Sequence, residues 1–370
     1  MKKLLLIYII ILIVHPIYTL SFKTSITEVA FARTEMRFAN KNSPAKSECD
    51  KVQLFEKADF PVGVAVNFQK LLNEERYRNL IVSQFNSITA EKSMKAAVIH
   101  PQKNVYDFSE ADYLINFCQT HNKRLHGHTL VWDKETPRWM EKFKGDKNAW
   151  DLMLKDHIQT VVQHCKKNVK SWDVLNEAFN DNGSLRENLW LKNIGKDYIE
   201  KCYTYAAEAD PAAILFYNDF DLESKPEKLD AVLKFFANLK SKGVKIDGIG
   251  MQMHINIIEP YLSDISMATM KIEDRGFLVH YSEFDISLVK TGKLWMFSRH
   301  LLTLQGQRMN GIVAGYRKLN TRNRFGITMW GLCDDDSWLA AKNGSDRPLL
   351  FNAWYKVKPA YCGFLDGLAE

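Results

Sequence analysis

Short apolar runs rich in β-branched residues alternate with longer amphipathic stretches from Phe60 onward. Eight runs have the length and composition of buried strands, at residues 61–67, 85–89, 124–132, 171–176, 214–218, 248–253, 277–284 and 326–330. Strands buried on both faces are near-continuously apolar, and parallel strands need long crossovers between them. The alternation therefore predicts repeated βα units around a parallel sheet.

The stretches between these runs have helical periodicity. Residues 110–121 and 150–167 each place apolar side chains on one face, and residues 226–242 carry Leu229, Phe236 and other apolar residues at helical spacing. Eight β-then-α repeats in 370 residues predict the α/β class and a single closed (β/α)8 TIM barrel. An open doubly wound sheet is the alternative, but no glycine-rich phosphate loop follows the first run.

The first 20 residues have the three-part layout of a secretory signal. Lys2 and Lys3 precede an apolar run at residues 4–14, and small residues follow near residue 20. This run is too short to cross a bilayer comfortably. We therefore expect a signal peptide over residues 1–20, a secreted or periplasmic protein and no stable membrane insertion after the signal is cleaved. An uncleaved membrane anchor is the alternative.

Residues 21–59 are polar, charged and weakly patterned, which predicts an N-terminal leader or an irregular segment packed against the domain that follows. The barrel is expected over residues 60–370, because no repeat or low-complexity linker interrupts that stretch. The hydrophobic fraction of 46% and the charged fraction of 25% are those of a soluble globular protein. A monomer is expected.

Charge and cysteine content argue against two classes of partner. The net charge of +6 comes from scattered lysines without a basic block interleaved with aromatics, so no nucleic-acid partner is predicted. The six cysteines show no metal spacing, and neither a metal nor another cofactor is predicted. Cys118, Cys165 and Cys202 lie in helical patterns and are expected to be buried thiols. Export would permit a disulfide, but spacing assigns no pair.

Polar side chains recur near the ends of most predicted strands. The active site of a barrel lies where strands end and βα loops begin. The residues at those ends are Lys95, His128, Trp132, Asn176, Glu177, Asn218, Asp219, Gln252, His254, Glu283, Asp285 and Trp330. Because barrel strands are otherwise apolar, this set predicts one shared cleft.

Two of these residues are glutamates, Glu177 after the fourth strand and Glu283 at the end of the seventh. Those strands lie roughly across the barrel from each other, so the two carboxyl groups can converge. A retaining glycosidase needs two carboxyls about 5–5.5 Å apart, one protonated and one ionised. His254 and Asp285 are expected to form a hydrogen-bonded set with Glu283 that holds it ionised. The alternative for each glutamate is an ordinary solvated or ion-paired acid at the rim.

The chain resembles glycoside hydrolase family 10, the retaining endo-β-1,4-xylanases. The matching motifs occur in order and are Phe85-Asn-Ser-Ile-Thr, Glu91 with Met94-Lys95, Gly127-His-Thr-Leu-Val-Trp132, Trp172-Asp-Val-Leu-Asn-Glu-Ala178, Asn218-Asp219, Gly248-Ile-Gly with Gln252 and His254, Glu283-Phe-Asp-Ile286, and Ile327-Thr-Met-Trp330 with Ser337-Trp338. The His-Thr-Leu-Val-Trp run before Asn-Glu-Ala is the most specific part. The resemblance implies a TIM barrel that cleaves xylan or xylo-oligosaccharides.

The resemblance also implies roles for individual residues. Glu177 would be the general acid/base, Glu283 the nucleophile, and Asn176 a partner of the sugar 2-hydroxyl. The remaining substrate contacts would be Lys95, His128, Gln252 and His254 as polar groups, with Trp132, Trp330 and Trp338 bounding the cleft. Asp285 would support Glu283.

Three positions depart from the family pattern. Lys92 stands where the family has Asn, Ala96 where it has Trp, and Asp133 where it has His. The resemblance places Lys92 upstream of the cleaved bond, so we hypothesise that this side accepts an acidic substituent that Lys92 can pair with. The alternative is that Lys92 points to solvent.

Two other functions stay open from the sequence. The same mechanism could act on another β-linked glycan or on short decorated xylo-oligosaccharides, as the changes at Lys92 and Ala96 allow. A non-catalytic carbohydrate-binding barrel is the second alternative, and the presence of both glutamates argues against it. Release of reducing sugar from xylan separates an enzyme from a binding protein.

Overall fold

The computed structural model describes residues 49–288, 299–343 and 346–370. The predicted signal peptide at 1–20 and most of the predicted leader lie outside these residues. In the described part of the chain, residues 49–59 pack against the domain. Leu54 is buried there, within a short helix, and Cys49 forms a disulfide with Cys362.

Nine strands form in the described residues. They are β1 Val62–Val66, β2 Ser87–Ala90, β3 Arg124–Val131, β4 Val169–Asn176, β5 Ile214–Asp219, β6 Gly248–Met251, β7 His254–Asn256, β8 Leu278–Ser287 and β9 Arg324–Met329. All pairings between them are parallel, β1 pairs with both β2 and β9, and β6 pairs with β8. The eight strands other than β7 therefore close into a barrel, which confirms the predicted (β/α)8 architecture.

Helices surround this barrel. Those of the described residues are α1 Leu54–Lys57, α2 Phe68–Asn73, α3 Glu75–Gln84, α4 Ala96–Ile99, α5 Ser109–Thr120, α6 Arg138–Glu141, α7 Lys147–Cys165, α8 Leu189–Ile194, α9 Tyr198–Ala209, α10 Pro226–Ser241, α11 Leu262–Asp274, α12 Arg299–Arg317, α13 Trp338–Asn343 and α14 Pro359–Ala369. The helices predicted at 110–121, 150–167 and 226–242 correspond to α5, α7 and α10. In the described part of the chain, no helix is long and apolar enough to cross a membrane.

The region around β7 differs from the sequence prediction in two ways. The strand predicted at 248–253 stops at Met251, and Met253 has a φ of 63°, so the chain restarts as the separate strand β7. β7 pairs with the last residues of β8, with His254 opposite Asp285. This extra partner extends β8 to Ser287. Glu283 therefore lies inside its strand, and the prediction that it ends the strand is wrong.

Close backbone approach decides two packing contacts of the barrel. A Cβ atom on Gly127 in β3 would lie 2.2 Å from the ring of Trp172 in β4, so only glycine leaves room for this buried indole. A Cβ atom on Gly363 in α14 would lie 1.9 Å from the carbonyl oxygen of Gly306 in α12. These contacts fix β3 against β4 and α14 against α12.

A disulfide joins Cys49, ahead of α1, to Cys362 in α14, with 313 residues of separation and a Cα–Cα distance of 5.4 Å. The sequence could not assign this pair. Cys118, Cys165 and Cys202 are buried free thiols, as predicted, and Cys333 is a fourth.

Candidate active site

Glu177 directly follows β4, at the carboxyl end of the barrel. Its backbone is in the left-handed region, with a φ of 56°, which costs energy for a residue with a side chain. The amide nitrogen of Glu177 donates to the carbonyl oxygen of Asn218 at 2.9 Å, and this bond holds the turn. The residue is only 8% exposed, so its carboxyl group lies within the cleft and not on the open rim.

Three amide side chains connect Glu177 to Glu283. The side chain of Gln252 donates from Nε2 to Oε1 of Glu177 at 3.2 Å and to Oδ1 of Asn176 at 3.4 Å. Asn218 donates from Nδ2 to the same Asn176 oxygen at 3.0 Å and to Oε1 of Glu283 at 2.7 Å. We call Asn176, Asn218 and Gln252 the amide chain. It brings both glutamates into one buried polar network.

Glu283 is held ionised by the groups around it. Burial alone would raise the pKa of Glu283, but the hydrogen bond from His254 and the nearby charges of His128 and Lys95 lower it below its ordinary value. His254 approaches Oε2 of Glu283 with Nε2 at 3.2 Å, and its Nδ1 lies 2.9 Å from Oδ2 of Asp285. The hydrogen-bonded set predicted for Glu283, His254 and Asp285 is therefore present.

His254 carries a positive charge in this arrangement. Burial would lower the pKa of His254, but Asp285 and Glu283 on either side of the ring raise it to about 10. Asp285 in turn accepts a hydrogen bond from Nε1 of Trp338 at 3.2 Å. The indole thus fixes Asp285, Asp285 fixes the imidazolium, and the imidazolium stabilises the carboxylate of Glu283.

Lys134 makes a direct ion pair with Glu177. Its Nζ lies 2.8 Å from Oε2 of the carboxylate, while 58% of the lysine side chain is exposed. Lys134 belongs to a short 3₁₀ segment, Asp133–Glu135, which immediately follows Trp132. Its ammonium also lies 5.4 Å from the centre of the Trp132 ring and 5.8 Å from that of Phe220. The sequence reasoning missed this contact.

Aromatic rings surround the two acids. Lys95 is buried and places its Nζ 4.5 Å from the centre of the Trp132 ring. The Trp330 ring lies 5.2 Å from that of His128 and 6.4 Å from that of His254, and the Trp338 ring lies 5.1 Å from His254. The structure therefore brings the predicted polar and aromatic residues together in one cleft.

A buried carboxylate behind the cleft orients His128. Oδ2 of Asp173 lies 2.8 Å from Nδ1 of His128 and 3.1 Å from Nε2 of His126. Burial would raise the pKa of Asp173, but the two histidines together hold it well below its ordinary range. Sequence reasoning missed Asp173. The sequence did contain an indication of it. His126 and His128 are two residues apart on one strand, so their side chains lie on the same face and can share one carboxylate partner.

A cavity of about 440 Å³ opens beside His254. Its lining includes Asp221 and Glu223 from the segment after β5, Asn256 at the end of β7, and Tyr261 from the segment after β7. Burial raises the pKa of Glu223 to about 7. The cavity therefore offers hydroxyl-binding groups next to His254, the partner of Glu283.

The three departures from the family pattern occupy different environments. Lys92 is exposed, whereas Ala96 is buried at the start of α4. The Asp133 carboxylate accepts a hydrogen bond from the backbone nitrogen of Leu189, the first residue of α8, at 3.4 Å. Asp133 thus ties the loop after β3 to α8.

Glu283 is ionised and fixed by the cation of His254, and Glu177 is paired with the exposed lysine Lys134. Two carboxyl groups in such environments can perform nucleophilic and acid/base chemistry at a sugar acetal. Among the described residues, no group of three or more His, Cys, Asp or Glu side chains is arranged to hold a metal ion.

Comparison with known proteins gives a consistent result. The family model of glycosyl hydrolase family 10 matches residues 52–367. Endo-1,4-beta-xylanase A of Caldicellulosiruptor sp. (strain Rt8B.4) is 38% identical over 86% of this chain, which spans only 47% of that protein. Endo-1,4-beta-xylanase B of Thermotoga neapolitana is 34% identical, with 86% of this chain and 91% of that protein covered.

A solved structure agrees in fold as well as in sequence. Xylanase 10B from Thermotoga petrophila RKU-1, crystallised in complex with xylobiose, superimposes with a TM-score of 0.81 at 35% identity, covering 86% of this chain and 97% of that one. The family match over nearly the whole described domain and the shared barrel lead to one conclusion: the chain belongs to glycosyl hydrolase family 10.

Proposed function

We propose that this protein is a retaining endo-1,4-β-xylanase that cleaves internal β-1,4-xylosidic bonds of xylan through a covalent glycosyl-enzyme. The observation that carries the proposal is the buried network in which Glu283, paired with the cation of His254, connects through the amide chain to Glu177. Such a pair meets the requirement for one nucleophilic carboxylate and one exchangeable proton.

The reaction has two steps. In the first, an oxygen of Glu283 bonds to the anomeric carbon while the glycosidic C–O bond breaks, and Glu177 gives its proton to the departing oxygen. In the second, Glu177 takes a proton from water, the hydroxyl oxygen bonds to the anomeric carbon, and Glu283 leaves as the carboxylate. The configuration at that carbon is retained after two inversions.

The amide chain and the aromatic rings supply substrate contacts in this proposal. Asn176 hydrogen-bonds the 2-hydroxyl of the sugar under attack in this proposal, and that contact strengthens in the transition state. Lys95, His128, Gln252 and His254 would contact the same unit, with Trp132, Trp330 and Trp338 as apolar surfaces. This assignment is supported by the convergence of these side chains near Glu283.

The substrate is inferred from the relatives. Two of them are named endo-1,4-beta-xylanases, and the Thermotoga petrophila structure contains xylobiose. We propose the same substrate class for this protein. We also propose that it works as a monomer with no nucleic-acid or membrane partner. A second candidate is a different β-linked glycan cleaved by the same mechanism. The specific observation in its favour is Ala96, a smaller side chain than the family's Trp, directly after Lys95 in the sequence.

We propose that the protein is secreted or periplasmic. The disulfide between Cys49 and Cys362 supports this location, since such bonds persist in oxidising compartments and are rare in the cytosol. Detection of the processed protein in the medium or periplasm tests the location.

The test of the activity is a product profile. Purified protein is incubated with xylan and, separately, with mixed-linkage β-glucan, and reducing ends and oligosaccharide lengths are measured. We expect internal cleavage of xylan, with the β-anomer as the first product in NMR spectra. Glu283→Gln, a matched neutral variant, should fold and release nothing. Release of the α-anomer, or a clear preference for β-glucan, would contradict the proposal.

A further inference from the structure

Lys134 is the one cation that forms an ion pair with Glu177 among the described residues. The pair is close, at 2.8 Å, yet the lysine side chain is 58% exposed whereas the glutamate side chain is 7% exposed. An exposed lysine on a flexible stem can leave its partner at little energetic cost. The contact therefore acts on a buried carboxylate but can be broken.

Within the residues that the structure describes, the other groups near Glu177 are neutral or already paired with another residue. Gln252 is a neutral amide, and Asn218 presents a backbone carbonyl. Burial, with a smaller effect from the charge of Glu177, raises the pKa of Asp219 at the end of β5 to about 6. Asp219 is itself paired with buried Lys228 at 2.7 Å. Glu283, on β8, is connected through the amide chain and is paired with His254.

We propose that Lys134 is a positioning residue for Glu177, whose ammonium holds the carboxylate aimed in the cleft between catalytic cycles. This inference rests on the proposed function. The ion pair favours the second step, in which Glu177 must accept a proton from water. It opposes the first step, in which Glu177 must carry a proton for the leaving oxygen. Lys134 thus sets the balance between the two steps.

The test compares Lys134→Gln with the wild type over a range of pH on two substrates. On xylotetraose, which needs protonation of its leaving group, kcat/KM reports the first step. We expect the alkaline limb of that profile to move up by about half a pH unit in the variant, since an exposed pair has a modest effect. The shift should shrink at high salt, because salt screens the exposed ammonium.

The second substrate is an aryl xylobioside with a good leaving group, for which the second step limits kcat. Here we expect the variant to lose activity at acidic pH, because the ammonium that favours proton acceptance by Glu177 is gone. A merely structural role would change both substrates in the same direction. Lys134→Arg should restore the wild-type profiles, and Lys147→Gln, which removes an equally exposed lysine paired to Asp197 at 3.2 Å, should have no effect.

Two results would overturn the inference while leaving the proposed function intact. One is a Lys134→Gln profile that superimposes on that of an active wild type. The other is an equal loss of rate on both substrates at every pH. A wild type inactive on xylotetraose and on the aryl substrate would instead overturn the proposed function, and the inference with it.

Discussion

The imidazole Nε2 of His254 lies 3.2 Å from Oε2 of Glu283. Because Asp285 fixes the other ring nitrogen, the imidazole cannot turn away from this carboxylate without losing a second ion pair. The nucleophile proposed for this protein therefore has a permanent cationic partner. The proposed acid/base, Glu177, is instead paired with the exposed lysine Lys134, which can move away.

Replacing His254 should move the acid limb of activity. Its charge helps to lower the pKa of Glu283, so His254→Asn should raise that pKa and allow the carboxylate to be protonated at higher pH. We expect the acid limb of the kcat/KM profile to shift to higher pH by about one unit. The pH dependence on xylotetraose checks this. His164→Asn is the control, because His164 pairs with Asp112 on the outer helices; equal shifts in both variants would contradict the argument.

Removing the acid/base should produce a loss that depends on the leaving group. Glu177→Ala is expected to reduce turnover of xylan by about 10²–10⁴-fold, because the departing sugar oxygen is then not protonated. An aryl xylobioside with a good leaving group needs little protonation, so its first step should still give a burst of phenol. Rapid-mixing measurements detect the burst. Equal losses on both substrates would be inconsistent with an acid/base role for Glu177.

Lys92→Asn should reveal whether the upstream side of the cleft prefers an acidic substituent. If Lys92 pairs with glucuronic acid, the variant should cleave decorated oligosaccharides a few-fold more slowly and plain ones at the wild-type rate. The ratio of the two rates is the measurement. Lys147→Gln serves again as an exposed-lysine control, and an unchanged ratio in Lys92→Asn would reject the pairing.

The disulfide should contribute to global stability. It closes a very long loop, so its loss is expected to lower the free energy of unfolding by about 2–5 kcal/mol. The double variant Cys49→Ala/Cys362→Ala should show this as a lower denaturant midpoint. A reductant should destabilise the wild type similarly and leave the double variant unchanged. A midpoint that is insensitive to both changes would show that the bond is not stabilising.

The barrel could be predicted because buried parallel strands leave a strong local signal. All eight predicted strands overlap strands of the closed barrel. β7 could not be separated from β6, because the break depends on the left-handed backbone of Met253, a residue that rarely adopts it. The extension of β8 beyond Glu283 followed from the same omission, since β7 is its partner there.

Site residues carried by the barrel strands could be predicted, because the barrel brings their side chains together. Site residues positioned by the conformation of a turn could not. The strands that carry Glu177 and Glu283 predicted that these acids converge, although Glu283 lies inside β8 and His254 lies on the unpredicted strand β7. Lys134 reaches Glu177 across 43 residues through the conformation of a 3₁₀ turn, for which no sequence spacing is diagnostic. The Cys49–Cys362 pair likewise depends on how α14 packs, a tertiary relationship that composition does not encode.

The bond between Cys49 and Cys362 links the first described residue to the C-terminal helix, so the two ends of the described domain are held close together. A short peptide joining residue 370 to residue 49 would close the chain into a circle, and a new opening could be placed at Gly243. This exposed glycine follows α10, at the face of the barrel opposite the cleft, and a methyl group added to it would have no atom of the described residues within 4 Å beyond its own chain neighbours. Such a permuted protein should retain the same arrangement of acids, because the barrel depends on strand neighbours and not on the order in which they are synthesised.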